Sequence, residues 1–195
     1  MKKKARLSVD IPTIEEVENE QKRLRHQEAY RKTLRGTIAV LIVVAAVSVL
    51  VATLWMPVLQ IYGSSMSPTL EAGQIVVSVK TNQLKTGEVV AFWQGNKLLV
   101  KRVIAGPGQW VDIDMDGNVT VDGKELTEDY LDVKALGNCD VELPHQVEES
   151  RWFLMGDNRD VSVDSRSVAI GDVSKDQIEG KIVFRIWPLK EFGSM

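Results

Sequence analysis

The chain has 195 residues, with 24 Lys and Arg against 27 Asp and Glu and a net charge of −3; that length suits one membrane segment plus one soluble domain of about 130 residues. The charge is uneven: residues 1–35 hold ten basic and six acidic side chains, residues 36–70 hold none, and about −7 falls on residues 71–195. So acidic a domain argues against nucleic-acid binding, and the single cysteine, Cys139, allows neither an internal disulfide nor a multi-cysteine metal site.

From the N-terminus, Thr13-Ile14-Glu15-Glu16 has the pattern of a capping box, and the Glu-, Lys-, Arg- and Gln-rich stretch after it favours a helix running on to residue 35. Its apolar positions are sparse and poorly periodic, which reads as a solvated helix rather than a partner-binding face. The run Thr37 to Met56 then has 20 residues without an ionisable group, about 30 Å as a helix and therefore the thickness of a bilayer core. A cleaved signal peptide is the alternative; the length of the run and of the tail before it weigh against that. Trp55 suits a membrane interface and Pro57 a helix end. The Lys and Arg excess before the run places residues 1–36 in the cytoplasm as a basic tail, residues 37–57 as a single transmembrane anchor, and residues 58–195 outside. His26 and His145 then lie on opposite sides of the membrane, so neither a zinc centre nor any other metal site is expected.

After the anchor comes "GSSMSPTL" (63–70), uncharged and rich in serine, which taken alone reads as a linker. Beyond it the segments 74–80, 87–93, 97–105, 109–115, 118–123, 151–156 and 180–187 read as short strands, separated by turn signals such as Gly95-Asn96, Asp116-Gly117 and Asp122-Gly123. Without a 3.6-residue period this predicts a mainly β domain, a sandwich or barrel-like. Residues 126–150, acidic and irregular, read as a surface excursion. "DIDMDG" (112–117) opens like a calcium loop, but the twelfth position is Gly123 where a bidentate Glu is needed, and Val111, Ile113 and Met115 alternate with the aspartates as in a half-buried strand.

Three stretches carry candidate chemistry: 63–70, 98–109 and 156–166. A serine hydroxyl needs a neighbouring base to become a nucleophile. No histidine lies near these stretches in sequence, although His145 remains formally available. Lys101, in contrast, lies in the apolar run Leu98-Leu99-Val100-Lys101-Arg102-Val103-Ile104, where burial favours the neutral amine and so a base. A serine–lysine pair is what these residues could build.

Together the three stretches resemble the motifs of type I signal peptidases, membrane-anchored serine proteases that remove signal peptides, and among them the smaller Gram-positive members. The resemblance runs from the anchor to the C-terminus, with "TGEVVAFW" (86–93) similar to the family's intervening strand and "FRIWPL" (184–189) to its C-terminal end. It implies an antiparallel two-sheet catalytic domain after the N-terminal transmembrane helix, no cofactor, and a Ser–Lys dyad in which Ser65, directly before Met66, is the nucleophile and Lys101 the general base. Arg102 is implied as a supporting residue, Ser162 as hydrogen-bonding to the lysine, and Asp157, Arg159, Asp164 and Arg166 as holding the third stretch, with Asp164 and Arg166 paired. Some relatives place an oxyanion-binding serine two residues before the nucleophile; Gly63 stands there, leaving the backbone N–H of Ser65 as the expected donor. The implied partners are membrane lipid and the signal peptides of exported preproteins, with small residues at their last and third-last positions. Ile61, Leu70, Leu99 and Val100, which flank the motifs, are the expected lining of shallow apolar pockets.

Eight residues, 57 to 64, separate the anchor from Ser65, so at ~3.3–3.6 Å per residue the serine stays within roughly 30 Å of the membrane surface. Two other functions fit the same chain: a non-catalytic, membrane-anchored β domain that binds surface partners, and a specialised relative that processes a few precursors.

Overall fold

The computed structural model describes residues 13–81 and 83–195, the side chains of Ala52 and Trp55 excepted. The first twelve residues of the basic tail lie outside the described residues. Two compact units divide near residue 51.

A single helix, α1 (Ile14–Trp55), begins where the capping box stands. The Thr13 N–H donates to Glu16 Oε2 at 2.9 Å and the Glu16 N–H returns a bond to Thr13 Oγ1 at 3.4 Å, so two of the four orphan donors of the first turn are satisfied. Within Ile14–Val51 an 18-residue window has mean hydropathy 2.5, long and apolar enough to cross a membrane.

The second unit is mainly β. The large sheet contains β1 (Val58–Gln60), β2 (Ile75–Val79), β3 (Val89–Gln94), β4 (Lys97–Ala105), β9 (Arg151–Met155), β10 (Val173–Ser174), β11 (Ile178–Trp187) and β12 (Gly193–Ser194). Its order is β1-β2-β11-β3-β4-β9-β10, with β12 on β11, and every pairing is antiparallel. The small sheet, also antiparallel, runs β7 (Lys124–Glu125), β6 (Val119–Val121), β5 (Trp110–Ile113), β8 (His145–Gln146). All seven strand readings lie on observed strands. Five further strands, β1, β7, β8, β10 and β12, have only two or three residues each, too short to show a period.

The turns follow from local chemistry. Asp122 and Gly123 both take positive φ, 53° and 74°, as a tight hairpin between β6 and β7 requires. In the calcium-like stretch the Asp114 carboxylate accepts from the backbone N–H groups of Asp116 and Asn118 and from Asn118 Nδ2, all within 2.9 Å; it is spent on shaping a turn.

Three apolar clusters hold the unit. Ile104, Val111, Ile113, Val119, Phe153 and Met155 join the two sheets. Val90, Phe92, Val103, Trp152, Leu154 and Val173 form the second. The third packs the serine-rich segment onto the large sheet: Ile61, Met66 and Leu70 against Val76, Val89, Ala91 and Ile182. "GSSMSPTL" is therefore no linker. Met66, 2% exposed, and Leu70, fully buried, are its roots in the core.

Residues 126–150, irregular apart from β8, are mostly exposed, as the surface-excursion reading expects, but they are tied back to the core at several points. Glu128 is buried at 6% exposure and Val147 at 1%. The Leu136 carbonyl accepts from Arg166 at 2.6 Å, and Gly137 lies so close to the Arg159 carbonyl that a Cβ there would come within 2.2 Å of its oxygen.

Candidate active site

Ser65 sits in a tight turn fixed by its neighbours. The Ser67 N–H bonds to Ser64 O at 3.1 Å and the Leu70 N–H to Met66 O at 2.9 Å. With Met66 and Leu70 anchored, Ser65 is left half-buried and Ser64 exposed. From the 156–162 loop, the Asn158 N–H donates to Ser65 O at 3.1 Å.

Lys101 lies in β4, where the strand passes into the core; the residues before it are partly exposed, and from Lys101 onward all are buried. β9 pairs with β4 only at Arg102, Val103 and Ala105, so the β4 edge from Lys97 to Lys101 lies beyond its register. Lys101 is 3% exposed and its Nζ is 2.6 Å from Ser65 Oγ. Burial pulls the ammonium pKa from 10.5 down to about 8, with the Asp164 and Asp157 carboxylates opposing the shift and Arg166 assisting it. A large fraction of the side chain is thereby neutral near pH 8, as a base must be.

The supporting residues form two buried ion pairs. Arg102 grips Asp157 with both prongs, Nε to Oδ1 at 2.8 Å and a terminal nitrogen to Oδ2 at 2.5 Å, and also donates to Gly87 O and Thr69 Oγ1. Arg166 grips Asp164 in the same two-pronged way, both bonds at 2.9 Å. Burial works to raise the Asp164 pKa, but Arg166 and the Gly156 N–H hold it below the usual value. Ser162 is 2% exposed, and its hydroxyl lies against Asp164, where it helps hold that carboxylate low. The bond to Lys101 implied by the resemblance is not formed in this structure. Gly156 fits only as glycine: a Cβ there would lie 2.2 Å from Ser162 Oγ and 2.5 Å from Ser65 O.

A shallow cleft of about 90 Å³ opens onto the pair, lined by Gln60, Ile61, Tyr62 and Gly63 on one side and by Leu98, Leu99, Val100 and Lys101 on the other. Of the expected pocket residues, Ile61, Leu99 and Val100 line it. Leu70 does not: it has no exposure and packs in the core, because the turn directs it inward to anchor Ser65. Gln60, Tyr62 and Leu98 escaped the sequence reading, as they belong to a three-residue strand, a loop and a strand end. A larger cavity behind the serine turn holds Arg102, Lys181 and Arg185, but each of these cations is matched by a carboxylate, Asp157, Glu88 and Glu191 respectively. His145 is held elsewhere by Asp172, 3.0 Å from its Nε2.

Residues 33–187 match the family described as signal peptidase, peptidase S26. Signal peptidase IB of Staphylococcus aureus (strain COL) is 39% identical over 153 residues, covering 68% of this chain and 78% of that protein. Signal peptidase I of Bacillus licheniformis is 33% identical over 169 residues, covering 78% and 88%. Among solved structures, a signal peptidase I from Enterococcus faecalis V583 aligns at a TM-score of 0.43 and 25% identity, covering 52% of this chain and 98% of that one. The match spans the serine turn, β4 and the 156–166 loop alike, and the chain belongs to the signal peptidase family, peptidase S26.

Proposed function

We propose that this signal-peptide endopeptidase works through Ser65 as nucleophile and Lys101 as general base. The observation that carries the proposal is the 2.6 Å contact between Lys101 Nζ and Ser65 Oγ, with the lysine buried at 3% exposure. Neutral Lys101 takes the Ser65 proton as Oγ attacks the carbonyl carbon of the last signal-peptide residue. The resulting ammonium returns the proton to the leaving amine of the mature protein, and an acyl-enzyme remains. Lys101 then takes a proton from a water, which attacks the ester, and returns it to Ser65 Oγ as the ester bond breaks and the signal peptide is freed. Asp157 and Asp164, neutralised by Arg102 and Arg166, keep the loop in place without adding net charge beside the lysine. With Gly63 lacking a side chain and Ser64 exposed, the Ser65 N–H is the oxyanion donor we assign. Nucleophile and base are both side chains, so the mechanism uses no cofactor or metal.

The substrate reading follows from the cleft. An extended peptide can add to the β4 edge at Lys97–Lys101 by main-chain bonds, and alternate residues of an extended chain share a face. The last and third-last side chains of the signal peptide therefore point together into a space of about 90 Å³, which suits residues as small as alanine. We further assign α1 as a single-pass anchor in lipid, with the basic tail cytoplasmic and the catalytic unit on the outer face; no nucleic acid takes part. The test is incubation of the detergent-solubilised protein with a preprotein and sequencing of the new N-terminus. Cleavage after a small residue at the signal-peptide boundary, lost in Ser65→Ala and Lys101→Ala, is expected; cleavage by either variant would refute the assignment.

A further inference from the structure

Arg102, beside the proposed base, has one face covered by an aromatic ring: its guanidinium carbon lies 3.8 Å from the centroid of Tyr130. The Tyr130 hydroxyl donates to Glu128 Oε1 at 2.9 Å. Glu128 in turn accepts from both terminal nitrogens of Arg159, and Arg159 Nε donates to Gly156 O at 3.1 Å. Gly156 adjoins Asp157, which Arg102 holds, so the contacts close into a ring: Arg102, Asp157, Arg159, Glu128, Tyr130. Arg102, Asp157, Arg159 and Glu128 are all buried, at 8% exposure or less, and their four charges cancel.

This ring meets the serine turn at three points. Arg102 holds the Thr69 hydroxyl, the Asn158 N–H holds Ser65 O, and Gly156 packs against Ser65 O without room for a Cβ. Glu128 and Tyr130 come from the irregular segment after β7, and neither is hydrogen-bonded to Ser65 or Lys101. We propose that Glu128 and Tyr130 are positioning residues for the Ser65–Lys101 pair, locking Arg102 and Arg159 so that the 156–162 loop meets the serine turn in one register. The inference rests on the Ser65–Lys101 reading above.

Its electrostatic consequence has a definite sign. The charged groups acting on Lys101 are Asp164, Arg166 and Asp157; of the ring's members only Asp157 is among them, held there by Arg102. Glu128→Gln leaves Arg159 without its carboxylate, and the ring becomes positive. A positive ring favours neutral Lys101, so the acid limb of the rate profile moves to lower pH while the loosened loop lowers the plateau.

The experiment measures kcat and KM against pH for the full-length protein in detergent with a preprotein substrate, alongside thermal melts. Tyr130→Leu is expected to lower kcat about ten- to a hundredfold with KM within about twofold, and Tyr130→Phe, which keeps the stack, to stay within about threefold of the parent. Glu128→Gln lowers kcat and shifts the acid limb down; Glu128→Gln with Arg159→Gln, a neutral ring again, brings the limb back. A merely structural role would cut activity in step with the folded fraction and leave the limb in place, which would overturn the proposal, as would parental kcat and limb in folded Glu128→Gln. Should Glu128→Gln not fold, the two Tyr130 variants decide, and equal kcat for Leu and Phe overturns the proposal. Ser65→Ala, run in parallel, separates the two claims: cleavage by that variant would refute the Ser–Lys reading whatever the ring does.

Discussion

Replacing Lys101 with methionine keeps the apolar stem and removes the ionisable end, so it isolates what the buried amine costs the fold. The amine is 3% exposed and its pKa falls from 10.5 to about 8. At about 1.4 kcal/mol per pH unit, that depression destabilises the folded state by roughly 3 kcal/mol at pH 7. The unfolded chain holds the proton more tightly, so the penalty is complete below about pH 8 and fades as pH rises toward the unfolded value near ~10.4. Losing the hydrogen bond to Ser65 Oγ takes back about 1 kcal/mol. Lys101→Met is therefore predicted to be inactive yet more stable than the parent by about 1–3 kcal/mol at pH 7, with most of that gain lost by pH 10. Urea titrations of both full-length proteins in detergent, followed by tryptophan fluorescence at the two pH values, measure it. A variant less stable at pH 7, or a gain that does not change with pH, would refute the reasoning that Lys101 is a buried base held neutral by desolvation.

Further outcomes are expected from the same geometry. The pH profile of kcat/KM should rise through about pH 8 as Lys101 deprotonates, falling about tenfold per unit below that; a profile flat from pH 6 to 9 would count against a lysine base. His145→Ala and Ser64→Ala should retain most preprotein cleavage, since His145 is engaged with Asp172 and Ser64 is exposed; loss of activity in folded His145→Ala would point to a serine–histidine site. Gly156→Ala should lower cleavage at least about a hundredfold, because its Cβ would displace Ser65 O or Ser162 Oγ; near-parental activity would show that the loop can yield there.

The fold was legible wherever residues repeat. Strands of four residues or more announced themselves by β-branched and aromatic runs bounded by glycine turns, and the capping box marked the start of α1. The burial of Lys101 could be anticipated from the apolar residues on either side of it. What escaped has no period: Gln60 and Leu98 at the cleft rim, and Glu128 and Tyr130 in a segment whose acidity suggested solvent. A buried glutamate and an exposed one look the same in a sequence, and only the approach of Arg159, 31 residues away, tells them apart. Leu70 was misplaced for a related reason. Its distance along the chain from Ser65 does not reveal that the turn between them points it away from the cleft and into the core.

The most direct test of the central claim is to trap the covalent intermediate. Preprotein and enzyme mixed at stoichiometric ratio and quenched in acid within the first turnover should yield, after digestion and mass spectrometry, a peptide containing Ser65 that carries the mass of the signal peptide in ester linkage. The adduct should be absent from Lys101→Met. Product formed with the adduct on another residue, or an adduct on Ser65 that persists without Lys101, would contradict the account.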